Sequence, residues 1–133
     1  MAGSKTNFLE NEILDNNLKA LSYTGPATVF LALFTASPTE TGSMASEVTN
    51  ANAYARTAVT FDAAVGGATA NSADVTFPQA TGSWGTVSDW MCVDSGTHGA
   101  GNGLYYGNVN TAKAIAASDT AVFEAGDIDI AED

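Results

Sequence analysis

Residues 27–34 read ATVFLALF. The stretch is rich in β-branched and aromatic side chains, and from Val29 to Phe34 it is apolar at odd and even positions alike. That pattern describes a strand buried on both faces, not one with a wet side. Such a strand needs a partner along each edge and a layer over each face, so it belongs inside a sheet of a layered β domain. Gly25-Pro26 marks its start, and the turn-rich run Ser37-Pro38 to Ser43 marks its end.

Downstream, short strand signals recur. Tyr54 to Phe61, YARTAVTF, alternates Ala55, Thr57, Val59 and Phe61 with Tyr54, Arg56, Ala58 and Thr60, and Gly66-Gly67 breaks the run. Asp74 to Phe77 is a third strand, stopped by Pro78. Thr86 to Val93, TVSDWMCV, puts Val87, Asp89, Met91 and Val93 on one face and Trp90 and Cys92 on the other. Leu104 to Val109 follows a Gly-rich loop over 95–103, and Thr120–Glu124 and Asp127–Ala131 flank a turn at Ala125-Gly126.

Upstream lies one helix signal. Asn7 to Leu21, NFLENEILDNNLKAL, places Leu14, Leu18 and Leu21 at i, i+4 and i+7, and Phe8 or Leu9 with Ile13 extends the stripe backwards. Asn7 reads as the cap with Glu10 three residues on, and Lys19 lies near the negative end of the dipole. So short a helix must dock its apolar stripe, either on its own domain or on a neighbouring subunit. One helix and about seven strands predict a mainly β fold, an antiparallel β-sandwich or jelly-roll-like domain. At 133 residues one domain over 1–133 is expected, with 1–24 as an N-terminal arm carrying the helix and 25–133 as the sandwich.

Charge narrows the function. Fifteen Asp and Glu against four Lys and Arg leave a net charge of −11, the wrong sign for nucleic acid or an anionic membrane surface. Neither an apolar leader nor a 20-residue apolar span is legible, so synthesis and folding in a cytosol are expected. A single cysteine allows no intrachain disulfide and no multi-thiolate metal site.

Chemistry-bearing residues are sparse. His98 is the only histidine and sits in GTHGAGNG, a mobile-looking loop with no orienting partner at a fixed spacing, which disfavours a Ser-His-Asp triad. That loop fits neither G-x-G-x-x-G nor a phosphate loop. Cys92 has strand neighbours and no basic residue near it, which reads as a buried thiol. Asp127 and Asp129 share a strand face without the rest of a calcium loop. Arg56, the only arginine, is expected to fork onto a carboxylate or backbone carbonyls, or to reach a neighbouring subunit. Trp84 and Trp90 read as core or rim anchors, and a row of exposed rings from Trp84, Trp90, Tyr105 and Tyr106 would instead mark a carbohydrate-binding face. No catalytic, cofactor-binding or metal-ligating residue is assigned. The candidate partner contacts are Phe8, Ile13, Leu14, Leu18, Arg56, Trp84 and His98.

The ordered series NFLENEILDNNL, PATVFLALFTASPTE, YARTAVTF, NSADVTFPQATGSWGTV, LYYGNV and AGDIDI resembles small bacteriophage virion proteins of the phage tail fibre protein family, which includes capsid-cement-like relatives. Relatives usually follow SWGTV with a D-x-x-x-G-G-like turn, whereas here Asp94 leads into SGTHGAGNG. The resemblance implies a non-enzymatic β-sandwich protein of the virion, with no cofactor. Lack of a shaft repeat favours a capsid decoration protein on the outer surface of the major capsid protein shell, as a trimer, with a tail fibre or receptor-binding role as the alternative.

Overall fold

A computed structural model describes residues 2–132. The elements run β1 (Ala2–Lys5), α1 (Asn7–Lys19), β2 (Val29–Phe34), β3 (Thr57–Val59), β4 (Ala68–Ala70), β5 (Val75–Thr76), β6 (Gly85–Val93), β7 (Gly103–Ile115), β8 (Val122–Phe123) and β9 (Asp129–Ala131). Seven strands form one sheet in the order β3-β2-β6-β7-β1-β9-β4, and β5 pairs with β8 as a separate ribbon. The sheet curls until its ends meet. Beyond β3 and β4 the Asp62 N–H donates to the Ala70 carbonyl at 3.0 Å, and the Ser72 N–H donates to Thr60 at 2.9 Å. The result is a mainly β, sandwich-like domain with one N-terminal helix.

β2 behaves as its composition requires. It pairs with β3 on one edge and β6 on the other, and Leu31 to Phe34 are fully buried. Leu31 and Leu33 face the main core with Val59, Trp84, Trp90, Ile128 and Ile130. Ala32 and Phe34 face a second, smaller cluster with Met91 and Val93, against which Phe30, Met44 and Tyr106 pack. Two apolar layers therefore account for a strand with no polar face.

Several details depart from the sequence reading. Val87 joins the Trp90 and Cys92 side of the core, because the β6–β7 register shifts between Val87 and Asp89 and the bulge reverses the alternation. The strand expected over Tyr54–Phe61 shrinks to Thr57–Val59, since Asn52 and Ala53 take left-handed φ of 55° and 66° and turn the chain just before Tyr54. β1 was not foreseen. It lies between β7, antiparallel, and β9, parallel, so the sheet is mixed and the N-terminal arm begins inside it. The short polar run AGSK carries no strand signal, and its Gly3 is there for space: a Cβ would sit 2.6 Å from the Trp90 ring.

The helix also differs. Thr6, not Asn7, caps it, and the Thr6 hydroxyl accepts from the Leu9 N–H at 3.4 Å while donating to the Gly103 carbonyl at 2.6 Å. The helix ends at Lys19, where Ala20 turns left-handed at φ 56°, so Leu21 lies outside it. Leu9 is its buried side chain, with Ile13 half-buried. The predicted stripe does not dock: Leu14, Leu18 and Leu21 are 54%, 78% and 55% exposed. Leu14 lies about 140° around the helix axis from Leu9, so burying one turns the other to solvent.

Candidate interaction surface

One end of the barrel gathers α1, the loop around Glu40 and the Gly-rich loop. The Thr6 N–H donates to the Leu104 carbonyl at 2.9 Å, and the Asn7 N–H donates to Glu40 at 2.7 Å. The start of α1 is thereby fixed to the foot of the Gly-rich loop. Phe8 is half-buried and meets Tyr23 edge-on at 6.3 Å, so the chain leaving the helix doubles back along it. The Tyr23 hydroxyl is pushed upward by burial first, then by the charges of Asp94 and Glu12.

Arg56 organises this end from beneath. Its Nε and Nη2 donate to the two Glu47 carboxylate oxygens at 2.8 Å each, and both side chains are wholly buried. Its Nη1 donates to the carbonyls of Ser95 and Ala100 at 2.7 and 2.8 Å. Glu47 also accepts from the Tyr54 hydroxyl at 3.0 Å and the Gly99 N–H at 3.1 Å. Burial alone would raise the Glu47 carboxyl. Hydrogen bonds and charge from Arg56, then the Gly99 N–H and Tyr54, more than reverse this and hold it below the usual carboxylate value. Asp94 closes the loop's other side, accepting from the Asn102 N–H at 2.7 Å and its amide at 3.1 Å.

The Gly-rich loop is thus clasped, a correction to its mobile reading. His98 is held as well: its Nε2 lies 2.8 Å from the Val48 carbonyl, and its ring stands edge-on to Tyr54 at 6.0 Å. Glycine at 101 permits a φ of 81°, and a Cβ there would press on Asp94 and Ser95.

Of the seven candidate contacts, the structure brings six to this end. Phe8, Ile13, Leu14 and Leu18 lie on α1, and Arg56 and His98 meet at Glu47. Arg56 is 7% exposed and its donors are taken by its own chain, matching the intradomain fork expected of it. Trp84 is buried in the core, its Nε1 donating to the Asn52 carbonyl at 2.9 Å. Trp90 is buried too and Tyr105 and Tyr106 are half-buried, so these four rings form no exposed row. Burial pushes the Cys92 thiol up to about 12, as suits a structural thiol. Asp127 accepts from the Glu124 N–H at 2.8 Å, closing the turn at Gly126, and Asp74 accepts from Ala125 at 2.9 Å. Among the described residues no three His, Cys, Asp or Glu side chains gather as metal ligands. Glu47 and Tyr54 are the members that sequence reasoning missed. Only the need of a lone buried arginine for a carboxylate hinted at the first.

Residues 4–131 match the family described as podophage GP4 fiber I protein gp80. The chain belongs to that family. No curated protein matches it at a significant level. The fiber I family assignment makes this chain a phage fibre-type structural protein and a virion component. It agrees with the tail fibre resemblance of the sequence and with the alternative function drawn from it. The family is one of structural proteins, which points to a non-enzymatic role. Within that frame, the clasped loop and the exposed leucines of α1 are its most conspicuous surface features.

Proposed function

We propose that this fiber I family protein is a static structural subunit associated with the phage fibre, held in the particle through the α1 end of its barrel and turning over no substrate. One observation carries the reading: α1 is fixed rigidly to the barrel at Thr6 and Asn7, yet shows Leu14 and Leu18 to solvent. An exposed apolar row on a rigid base is what an assembly contact requires. Capsid-surface decoration is the second reading. It is favoured by the curled, compact sheet, which offers no shaft among the described residues. In that setting the partner would be the major capsid protein. The trimer expected on symmetry grounds belongs to the proposal in either setting, and sedimentation equilibrium reads it. Cryo-microscopy of the intact phage is the test. Density for the barrel at the tail or fibre supports the first reading, density confined to the head transfers the protein to the second, and absence from purified particles refutes both.

A further inference from the structure

We infer that α1 is a helix-in-groove ligand whose receptor is an apolar groove rimmed by lysine or arginine on a different virion subunit. This rests on the proposed virion role and adds the chemistry of the partner. Leu14 and Leu18 stand one turn apart on the face of α1 that points away from Leu9 and the barrel. Leu21, just past the helix end, is exposed as well. Ala20 turns left-handed, its N–H and that of Leu21 both donate to the Asp15 carbonyl, and the Asn16 amide donates to the Leu21 carbonyl at 3.1 Å. The row is therefore ordered before any partner arrives.

The flanks are acidic. Glu10 lies about 40° from Leu14 on one side and Asp15 about 60° from Leu18 on the other, while Lys19, the helix's one cation, lies farther round, about 100° from Leu18. Glu12 is half-buried on the side of the helix away from Leu14. An apolar row edged by carboxylates is complementary to an apolar groove edged by cations.

A second copy of the chain fits poorly. Three part-exposed leucines offer roughly 300 Å² per copy, so two faces pressed together bury about 600 Å², half of the ~1,200 Å² from which stable interfaces begin. Such a pairing would also bring together the Glu10 and Asp15 carboxylates of two chains that each carry a net charge of −11. A groove encloses the helix from both sides, so it buries the flanks of the row along with the leucines.

Phage particles assembled without this protein are the probe. Full-length protein is added back and the bound fraction measured. Wild type binds, and Leu14→Glu with Leu18→Glu weakens binding at least about thirtyfold, near 2 kcal/mol, while circular dichroism is unchanged. Should that pair disturb folding, Leu18→Ser alone, at the most exposed position, gives a smaller loss of the same sign. Wild-type binding weakens severalfold as NaCl rises from about 50 to 300 mM, and Glu10→Gln with Asp15→Asn flattens that dependence. Leucine variants that bind within about twofold of wild type, or salt-independent binding, overturn the inference. So does wild-type self-association abolished by the leucine variants, which makes the occupant a second copy. Wild type with no affinity for the particles is a different failure: it refutes the proposed virion role itself.

Discussion

Replacing Glu47 by alanine tests the clasp from within. In the folded chain four donors converge on this carboxylate: two from Arg56, the Tyr54 hydroxyl and the Gly99 N–H. Alanine removes every acceptor and strands a buried guanidinium. Losing one member of a buried ion pair costs about 3–5 kcal/mol, and water entering the vacated space limits the loss to that range. A domain of this size has about 5–15 kcal/mol of stability in all, so the change is a large fraction of it. With a urea dependence near 2 kcal/mol/M, the unfolding midpoint falls by about 2 M. Trp84 and Trp90 are both buried, so their fluorescence reports the transition. Glu47→Met combined with Arg56→Met should cost less than Glu47→Ala alone, because no charge is left without its partner. Hydrogen exchange at Gly99 and Ala100 should accelerate in the single variant, since its anchors on Glu47 and Arg56 are gone or displaced. A loss under about 1 kcal/mol, the range of an exposed pair, would refute the reasoning.

The same carboxylate sets a pH dependence. Glu47 is lowered in the fold, so its contribution is complete above the unfolded carboxylate value of about 4.3 and is lost as pH falls through the folded one; Glu47→Gln should flatten the acid limb of a stability-versus-pH curve. Cys92 should react with a disulfide reagent at pH 8 roughly a thousandfold more slowly in the native protein than in urea, as burial suppresses the thiolate. Asn71 is buried, accepts from the Gly126 and Ile128 N–H groups at 3.1 and 2.8 Å, and donates to the Ala73 and Glu124 carbonyls. Asn71→Ala should cost about 3 kcal/mol in urea unfolding, because those backbone groups lose their partners. Gly107→Ala should cost about 1–3 kcal/mol and shift the tryptophan emission, since the new Cβ would lie 2.8 Å from the Trp90 ring.

Particular residues mark the boundary of what could be read in advance. The run Val29–Phe34 announces a strand sealed on both faces, because side-chain alternation is a local property and its absence is visible in a string of letters. A helix starting at Asn7, read to Leu21 and ending in the fold at Lys19, a buried Cys92 and a forking Arg56 follow from the same kind of local chemistry. Other features depend on distant partners. Glu47 is an unremarkable loop acid until the fold carries it to Arg56, and Gly3 is an unremarkable glycine until Trp90 lies across it. Val87 changes sides because three residues of β7 are taken up in one bulge, which no count along β6 reveals. The leucines of α1 are the sharpest case. Periodicity announces that a helix has an apolar stripe, but α1 has apolar residues on opposite sides, and only the anchoring of Thr6 to Gly103 decides that Leu9 turns inward and Leu14 and Leu18 turn out. Local composition and spacing thus dictate α1, β2, β6 and the β class, but not β1, which forms only between β7 and β9. Which side chains meet, and which remain for a partner, is decided when the chain closes on itself, because those contacts join residues up to 127 positions apart.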